Sequence, residues 1–425
     1  MKKIIEEKKI KIPKYIFYIL GVVLILIFLC SLFFTYGDSI KHYLFTNYSD
    51  TFMDFFNSMY DTIGRRPYEK GVIYPPICYV MYYIFLRMIP IEQMNFGSPA
   101  FKTFQAPMLA LALYEFVSIG MFIFCMFKMK KGSSREKILF LIITLMSIPF
   151  LFTFERGNII FVALIFLMLF IYFKDSNNKF LREFALFSLA MSAAIKIYPA
   201  IFGLVLIKEK RWGEIVRVII YGIVLFVVPF IFFGGFSEIL TFIHNLTHTT
   251  DEFSVTHVIN RMNFSAAIEE LSYAFNFENY QFISKILILF IFVISCINSL
   301  LSKVNWKTYA LLSCLIVGIP GISFTYTVIF LIIPLIYFLD SKDKKKFVDY
   351  MYLLLFILIM FPCPLSLLEH GSYSYFYNNA TLNTKIMSIS IIALSILLNI
   401  DVFITNIENR IKKSNNIDKK LQKNI

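Results

Sequence analysis

Charge is scarce in this sequence. Asp, Glu, Lys and Arg make up 16% of its 425 residues, against 58% hydrophobic residues. A soluble domain of that make-up would expose too much apolar surface, which excludes an ordinary soluble fold. Cysteine is sparse too. The six, at 30, 78, 125, 296, 314 and 363, lie in or at the ends of apolar runs and form no CxxC pair. They behave as small hydrophobes and imply neither a disulfide framework nor a zinc site. P-loop and GxGxxG patterns are missing, and so is any internal repeat. The lack of a repeat counts against the inverted-repeat architecture of many transporters.

What is present are apolar runs of the length a bilayer demands, roughly 20 residues for a helix crossing about 30 Å. The first, Tyr15–Thr35, is too long for a cleaved signal and has no A-x-A site after it. Short Lys/Arg clusters at 2–14, 128–137, 174–182, 208–217, 303–307, 342–346 and 410–423 hold 30 of the 41 basic residues. The positive-inside rule assigns all seven to the cytoplasm. The net charge of +13 is then mostly topology, with some attraction to anionic lipid, and no nucleic-acid partner is expected.

Threading spans through these anchors predicts an all-α polytopic membrane protein. Spans are expected near 15–35, 105–127, 138–154, 158–173, 216–234, 283–301, 308–320, 322–339, 347–363 and 384–405. Two short helices within 184–207, broken by Lys196, Tyr198 and Pro199, are expected to meet near the outer face. That makes twelve crossings in a single domain over 1–425, with both termini and the tail 406–425 in the cytoplasm. Residues 77–90 are too short to cross comfortably and read as re-entrant or interfacial. The outer face then receives long loops at 36–104 and 235–282 and a shorter one at 364–383. All five histidines (His42, His244, His248, His257 and His370) fall in them. Chemistry is expected on the extracytoplasmic side.

Residues 50–76, DTFMDFFNSMYDTIGRRPYEKGVIYPP, are the polar exception. Phe52, Phe55, Phe56, Met59, Tyr60 and Ile63 follow helical spacing, while Asp50, Asp54, Asn57 and Asp61 lie on the opposite face. With Ser49 or Asp50 as N-cap and Gly64 after the end, the pattern predicts an amphipathic helix over 50–63 on the outer membrane surface. For Asp50 and Asp61 the plain reading is the wet face of an interfacial helix.

Several short motifs, in order, carry a resemblance. An Asp-Phe early in the first outer loop is followed by a Gly/Arg/Pro-Tyr turn and Tyr-Pro-Pro before a short apolar helix. Then come FERGNIIF (154–161), AAIKIYPAIFGLVLIKEKRW (193–212), NRMNFSAA (260–267) and ISFTYTVIFLIIPL (322–335). Together they resemble the glycosyltransferase-C superfamily, and within it family 87, the polyprenol-phosphate mannosyltransferase type. The resemblance implies a hexosyltransferase that moves a mannose-like sugar, with inversion, from a polyprenyl-phosphate donor to an acceptor hydroxyl on a lipid or envelope glycan. It implies Asp54 as the base, with Asp50 the fallback if the helix register differs. Where the resemblance leads one to expect Gly-Gln-x-Asn, this chain has Arg156-Gly157-Asn158.

The residue types suit that chemistry independently. A positioned carboxylate deprotonates the attacking hydroxyl, a contribution of roughly 10²–10⁴ in rate. The leaving lipid phosphate needs a cation. Lys196, a lysine between two membrane helices, is the leading candidate, since placing it there costs on the order of 3 kcal/mol; the plainer alternative is snorkelling. Arg66, Arg156 and Arg261 are further candidates for the phosphate, although taken singly each reads more readily as a headgroup anchor or surface residue. Asn158, Tyr198, His257, Asn263, Tyr326 and Tyr74 are the candidate substrate-binding side chains. His244 and His248 stand at i, i+4 without a glutamate between them, and no metal or other cofactor is expected. Glu115 lies mid-span with no partner evident. A transporter or flippase of a lipid-linked or small polar substrate is the competing class; it would place its polar residues near the bilayer midplane rather than in outer loops. Sequons at Asn47, Asn245, Asn263 and Asn379 matter only in a secretory compartment, and a bacterial plasma membrane is expected.

Overall fold

The computed structural model describes residues 2–44, 48–255, 261–277, 280–341, 347–368 and 381–423. Among the described residues, regular structure is helical apart from one isolated antiparallel bridge between Arg261 and Phe324. Six helices are long and apolar enough to cross a membrane: Ile12–Phe34, Gln105–Met129, Trp212–Phe232, Tyr280–Leu301, Phe347–Leu367 and Leu382–Ile411. A seventh span results if the bent pair Ser134–Leu145 and Ile148–Arg156 is one crossing. The chain is a multi-pass membrane protein.

The twelve expected crossings are not reached by length. Ile160–Phe173 and Asn305–Gly318 have 14 residues each. At 1.5 Å per residue, 14 residues rise only about 21 Å. These short helices differ from the long ones in their burial. Ile160–Phe173, Asn305–Gly318 and the run Thr325–Leu339 are buried along almost their whole length. A helix apolar all round belongs in the interior, and these form the core of the bundle. The long helices around them leave large apolar side chains such as Phe116, Ile219 and Leu289 exposed, as lipid contact requires.

Local chemistry sets the breaks. The bend of 60° between Ser134–Leu145 and Ile148–Arg156 falls just before Pro149, which lacks an N–H to continue the ladder and suits a helix's first turn. Helix Lys179–Ile195 starts under Asn178, whose Oδ1 accepts from the Phe180 N–H at 2.9 Å. It stops at Lys196, which is extended (φ −138°, ψ 124°), ahead of Pro199. Ile160–Phe173 packs antiparallel on Lys179–Ile195, so residues 156–160 and 195–198 share one end of the bundle. Ion pairs tie the other end, among them Lys130 with Asp340 and Lys174 with Glu209.

The polar segment departs from its expected form. Its helix is Met53–Asp61, and the N-cap position falls on Phe52, in the left-handed region (φ 63°), rather than on Ser49 or Asp50. The Phe52 N–H instead donates to the Glu155 carbonyl at 2.7 Å, joining the first loop to the tip of Ile148–Arg156. The apolar stripe is as expected, with Phe55, Phe56 and Met59 fully buried. It packs against helix Pro76–Leu86 and the turn Ser98–Thr103. Lys70 closes the C-terminal end by donating to the Tyr60 and Asp61 carbonyls at 3.1 and 3.2 Å.

Candidate active site

Asp54 stands in the first turn of Met53–Asp61, where a carboxylate is favoured by the helix dipole. It is not on a wet face. Its Oδ1 accepts from Arg156 Nε at 3.1 Å and Nη2 at 2.5 Å, and its Oδ2 accepts from Asn158 Nδ2 at 2.7 Å. The third guanidinium nitrogen, Nη1, donates to the Asp50 carbonyl at 3.1 Å and lies 3.6 Å from the Asp50 carboxylate. All three nitrogens of Arg156 are thus spent on residues 50–54.

Gly157 makes this possible. It turns the chain between Arg156 and Asn158 in the left-handed region (φ +61°), and a Cβ there would stand 2.9 Å from Phe55 Cβ. Asn158 is buried, and both ends of its amide are used. Oδ1 accepts from the Ile160 N–H at 2.9 Å, opening the next helix, while Nδ2 serves Asp54 and also the Tyr74 hydroxyl at 3.2 Å. The Tyr114 hydroxyl donates to the Asn158 carbonyl at 2.8 Å.

Tyr74 leads to the next member. The Lys196 ammonium lies 3.9 Å from the Tyr74 ring centroid and 5.8 Å from that of Tyr326. Lys196 is only 7% exposed, yet among the described residues no carboxylate pairs with it. Two aromatic faces attract a cation but do not neutralise it. Tyr326 stacks on Phe152 (6.0 Å, 24°), and Tyr198 meets Phe330 edge-on. Burial, then the neighbouring Asp54 charge, pushes the Tyr74 phenol above its usual range, keeping it neutral.

Six expected residues therefore form one contiguous set: Asp54, Asp50, Arg156, Asn158, Tyr74 and Lys196, with Tyr326 beside Lys196. Others lie elsewhere. Arg66 is exposed and paired with Glu69 at 2.8 Å. The Arg261 guanidinium pairs with Glu269 at 2.8 Å, although its backbone bridges Phe324 near the Tyr326 ring. Asn263 caps Phe264–Ala274 through the Ala266 N–H and donates to the Gly321 carbonyl, a structural task. His257 lies outside the described residues. His244 and His248 stack on each other at 3.8 Å, and among the described residues no group of three His, Cys, Asp or Glu gathers to hold a metal. Glu115 is partly buried, with Oε2 unpartnered. Sequence reasoning missed Phe152 and Tyr114, aromatic residues in apolar runs that nothing local distinguishes from lipid-facing neighbours.

Residues 73–267 match the family model described as Glycosyltransferase family 87. The matched stretch takes in Tyr74, Arg156, Asn158 and Lys196 and leaves Asp54 and Tyr326 outside. No curated protein and no solved structure matches the chain.

Proposed function

We propose, from the match of residues 73–267 to the family model described as Glycosyltransferase family 87, that this chain is a membrane glycosyltransferase that moves a hexose from a polyprenyl-phosphate donor to an acceptor hydroxyl with inversion. The reading places the reaction on the extracytoplasmic face of a plasma membrane. The observation that carries it is Lys196, a buried ammonium without an anionic partner among the described residues, joined to the carboxylate of Asp54 through Tyr74 and Asn158. A base and a vacant cation are the two groups that a displacement at a sugar–phosphate carbon requires.

In this reading the acceptor hydroxyl attacks the anomeric carbon from the face opposite the phosphate. Its proton passes to Asp54 as the new C–O bond forms. The anomeric C–O bond to phosphate breaks, and its electron pair leaves with the polyprenyl phosphate, whose charge grows from −1 to −2. Lys196 faces that growing charge in a low-dielectric setting where it is worth most. Tyr74 and Tyr326 offer faces for the sugar, and a carboxylate that acts as base rather than as nucleophile gives inversion.

The test incubates purified protein with a panel of radiolabelled polyprenyl-phosphate sugars and candidate acceptors. Transfer from at least one lipid-phosphate donor, lost in Asp54→Asn, is the expected result. A folded protein that transfers from nucleotide sugars only would overturn the donor class.

A further inference from the structure

We infer that Arg156 changes partners during the reaction: it holds Asp54 in the empty site and moves to the donor phosphate as the sugar is transferred. The inference rests on the proposed lipid-phosphate donor and adds a coupling that the proposal does not contain.

The resting geometry is a poor one for a base. Both oxygens of Asp54 are occupied, Oδ1 by two nitrogens of Arg156 and Oδ2 by Asn158. With two guanidinium nitrogens on Oδ1 and an amide on Oδ2, one of these contacts must be shared or given up before a carboxylate oxygen can receive an acceptor proton. Something must relax that grip, and the residue can move. The side chains of Arg156 and Asp54 retain 20% and 16% exposure, so the pair sits at the lip of the site rather than sealed in the core. The Asp50 carbonyl and carboxylate, at 3.1 and 3.6 Å, give the guanidinium a second hold while it leaves Asp54.

The chemistry supplies the driving force. As the step proceeds, Asp54 gains a proton and loses its charge, while the phosphate goes from −1 to −2. One unit of negative charge leaves Arg156's present partner and appears on the leaving group. The two places are neighbours: Asn158 Nδ2 bridges Asp54 and Tyr74, and Tyr74 carries Lys196, the cation awaiting an anion. A planar guanidinium binds phosphate in the same forked way it binds carboxylate. Arg156 is thus a positioning residue that keeps the base inactive until an anion competes for it.

If Asp54 and phosphate compete for Arg156, weakening one partner strengthens the other. The probe is a short-chain polyprenyl monophosphate, the inert product, with affinity measured for purified full-length variants. Asp54→Asn, which mimics the protonated base, is expected to bind the phosphate about tenfold tighter than wild type, within the range of coupling between contacting charges. In an Arg156→Gln background the same change is expected to gain less than about twofold. Should Arg156→Gln not purify folded, Arg156→Lys serves, since one ammonium cannot reproduce the fork; the gain then shrinks but persists. An equal gain in both backgrounds means general charge repulsion and overturns the exchange, as does no gain in either. Lys196→Ala separates the two ideas. Loss of phosphate binding in Lys196→Ala without Asp54–Arg156 coupling leaves the donor reading intact and removes the exchange. A wild-type protein that does not bind the phosphate removes both.

Discussion

At the residue scale, three aspartates of similar local sequence meet three environments. Asp54 is held by Arg156 and Asn158, Asp50 touches only the far nitrogen of Arg156, and Asp61 sits at the other end of the helix under Lys70. If Asp54 is the base, Asp54→Asn keeps the shape and most of the hydrogen bonds and lowers transfer by about two orders of magnitude or more. Asp50→Asn is expected to be milder and Asp61→Asn milder still, all three measured side by side under saturating donor. A full loss in Asp50→Asn with activity kept in Asp54→Asn would move the base one turn. Asp61 has a separate, structural signature. Burial, partly offset by Lys70, pushes its carboxyl from 3.8 up to about 6. The unfolded chain therefore releases this proton first, and between those values the folded state binds more protons than the unfolded one. Stability from this group is complete below 3.8, falls as pH rises, and is gone above about 6. Thermal unfolding in detergent from pH 4 to 7 is expected to show a falling melting temperature in wild type. Asp61→Asn should flatten the difference and be the more stable protein at pH 7.

At the element scale, the site is a meeting of ends: the start of Met53–Asp61, the finish of Ile148–Arg156, the start of Ile160–Phe173 and the break after Lys179–Ile195. Gly157 is the hinge of that meeting. Gly157→Ala places a methyl 2.9 Å from Phe55 Cβ and 3.3 Å from a Leu111 methyl, and it forces alanine to a positive φ. Phe55 is fully buried and a Cβ cannot rotate away. The left-handed conformation alone costs about 1–2 kcal/mol, and the clash pushes Asp54 away from Arg156 and Asn158. Transfer activity is expected to fall with the melting temperature; wild-type activity would show that the turn does not hold the site. Much of this element was legible beforehand. The spacing of Phe55, Phe56 and Met59 predicts the buried stripe, and Lys196 with Pro199 predicts the break between two short helices. The mode of capping was not, because Phe52 is fixed by the Glu155 carbonyl, a partner 103 positions along the chain that no local pattern signals. For the same reason the motif departure at Arg156 could not be interpreted from sequence. Its meaning is the ion pair with Asp54 across 102 residues.

At the scale of the whole molecule, hydropathy identifies where apolar helices lie far better than what each one does. Every expected span overlaps a helix, but composition cannot separate a helix that crosses lipid from one buried among others, since both are apolar all round. Short core helices such as Ile160–Phe173 and Asn305–Gly318 were therefore expected as crossings, and six or seven helices meet the length criterion. Orientation rests on other evidence, the placement of Lys and Arg. The cluster 128–137 follows helix Gln105–Met129, and Asp54 lies in the loop before that helix, so the two are expected on opposite faces. Single cysteines at 54 and 131, in a background without the six native ones, test this with a membrane-impermeant maleimide. Position 54 is expected to react in intact cells and 131 only after permeabilisation, with labelling read by gel shift. Reaction at 131 from outside would make Pro76–Leu86 a full crossing despite its 11 residues. It would also overturn the assignment of the basic clusters to the cytoplasm, and with it the outer-face reading of the site, since Asp54, Arg156 and Asn158 lie at one end of the bundle and Lys130 at the other.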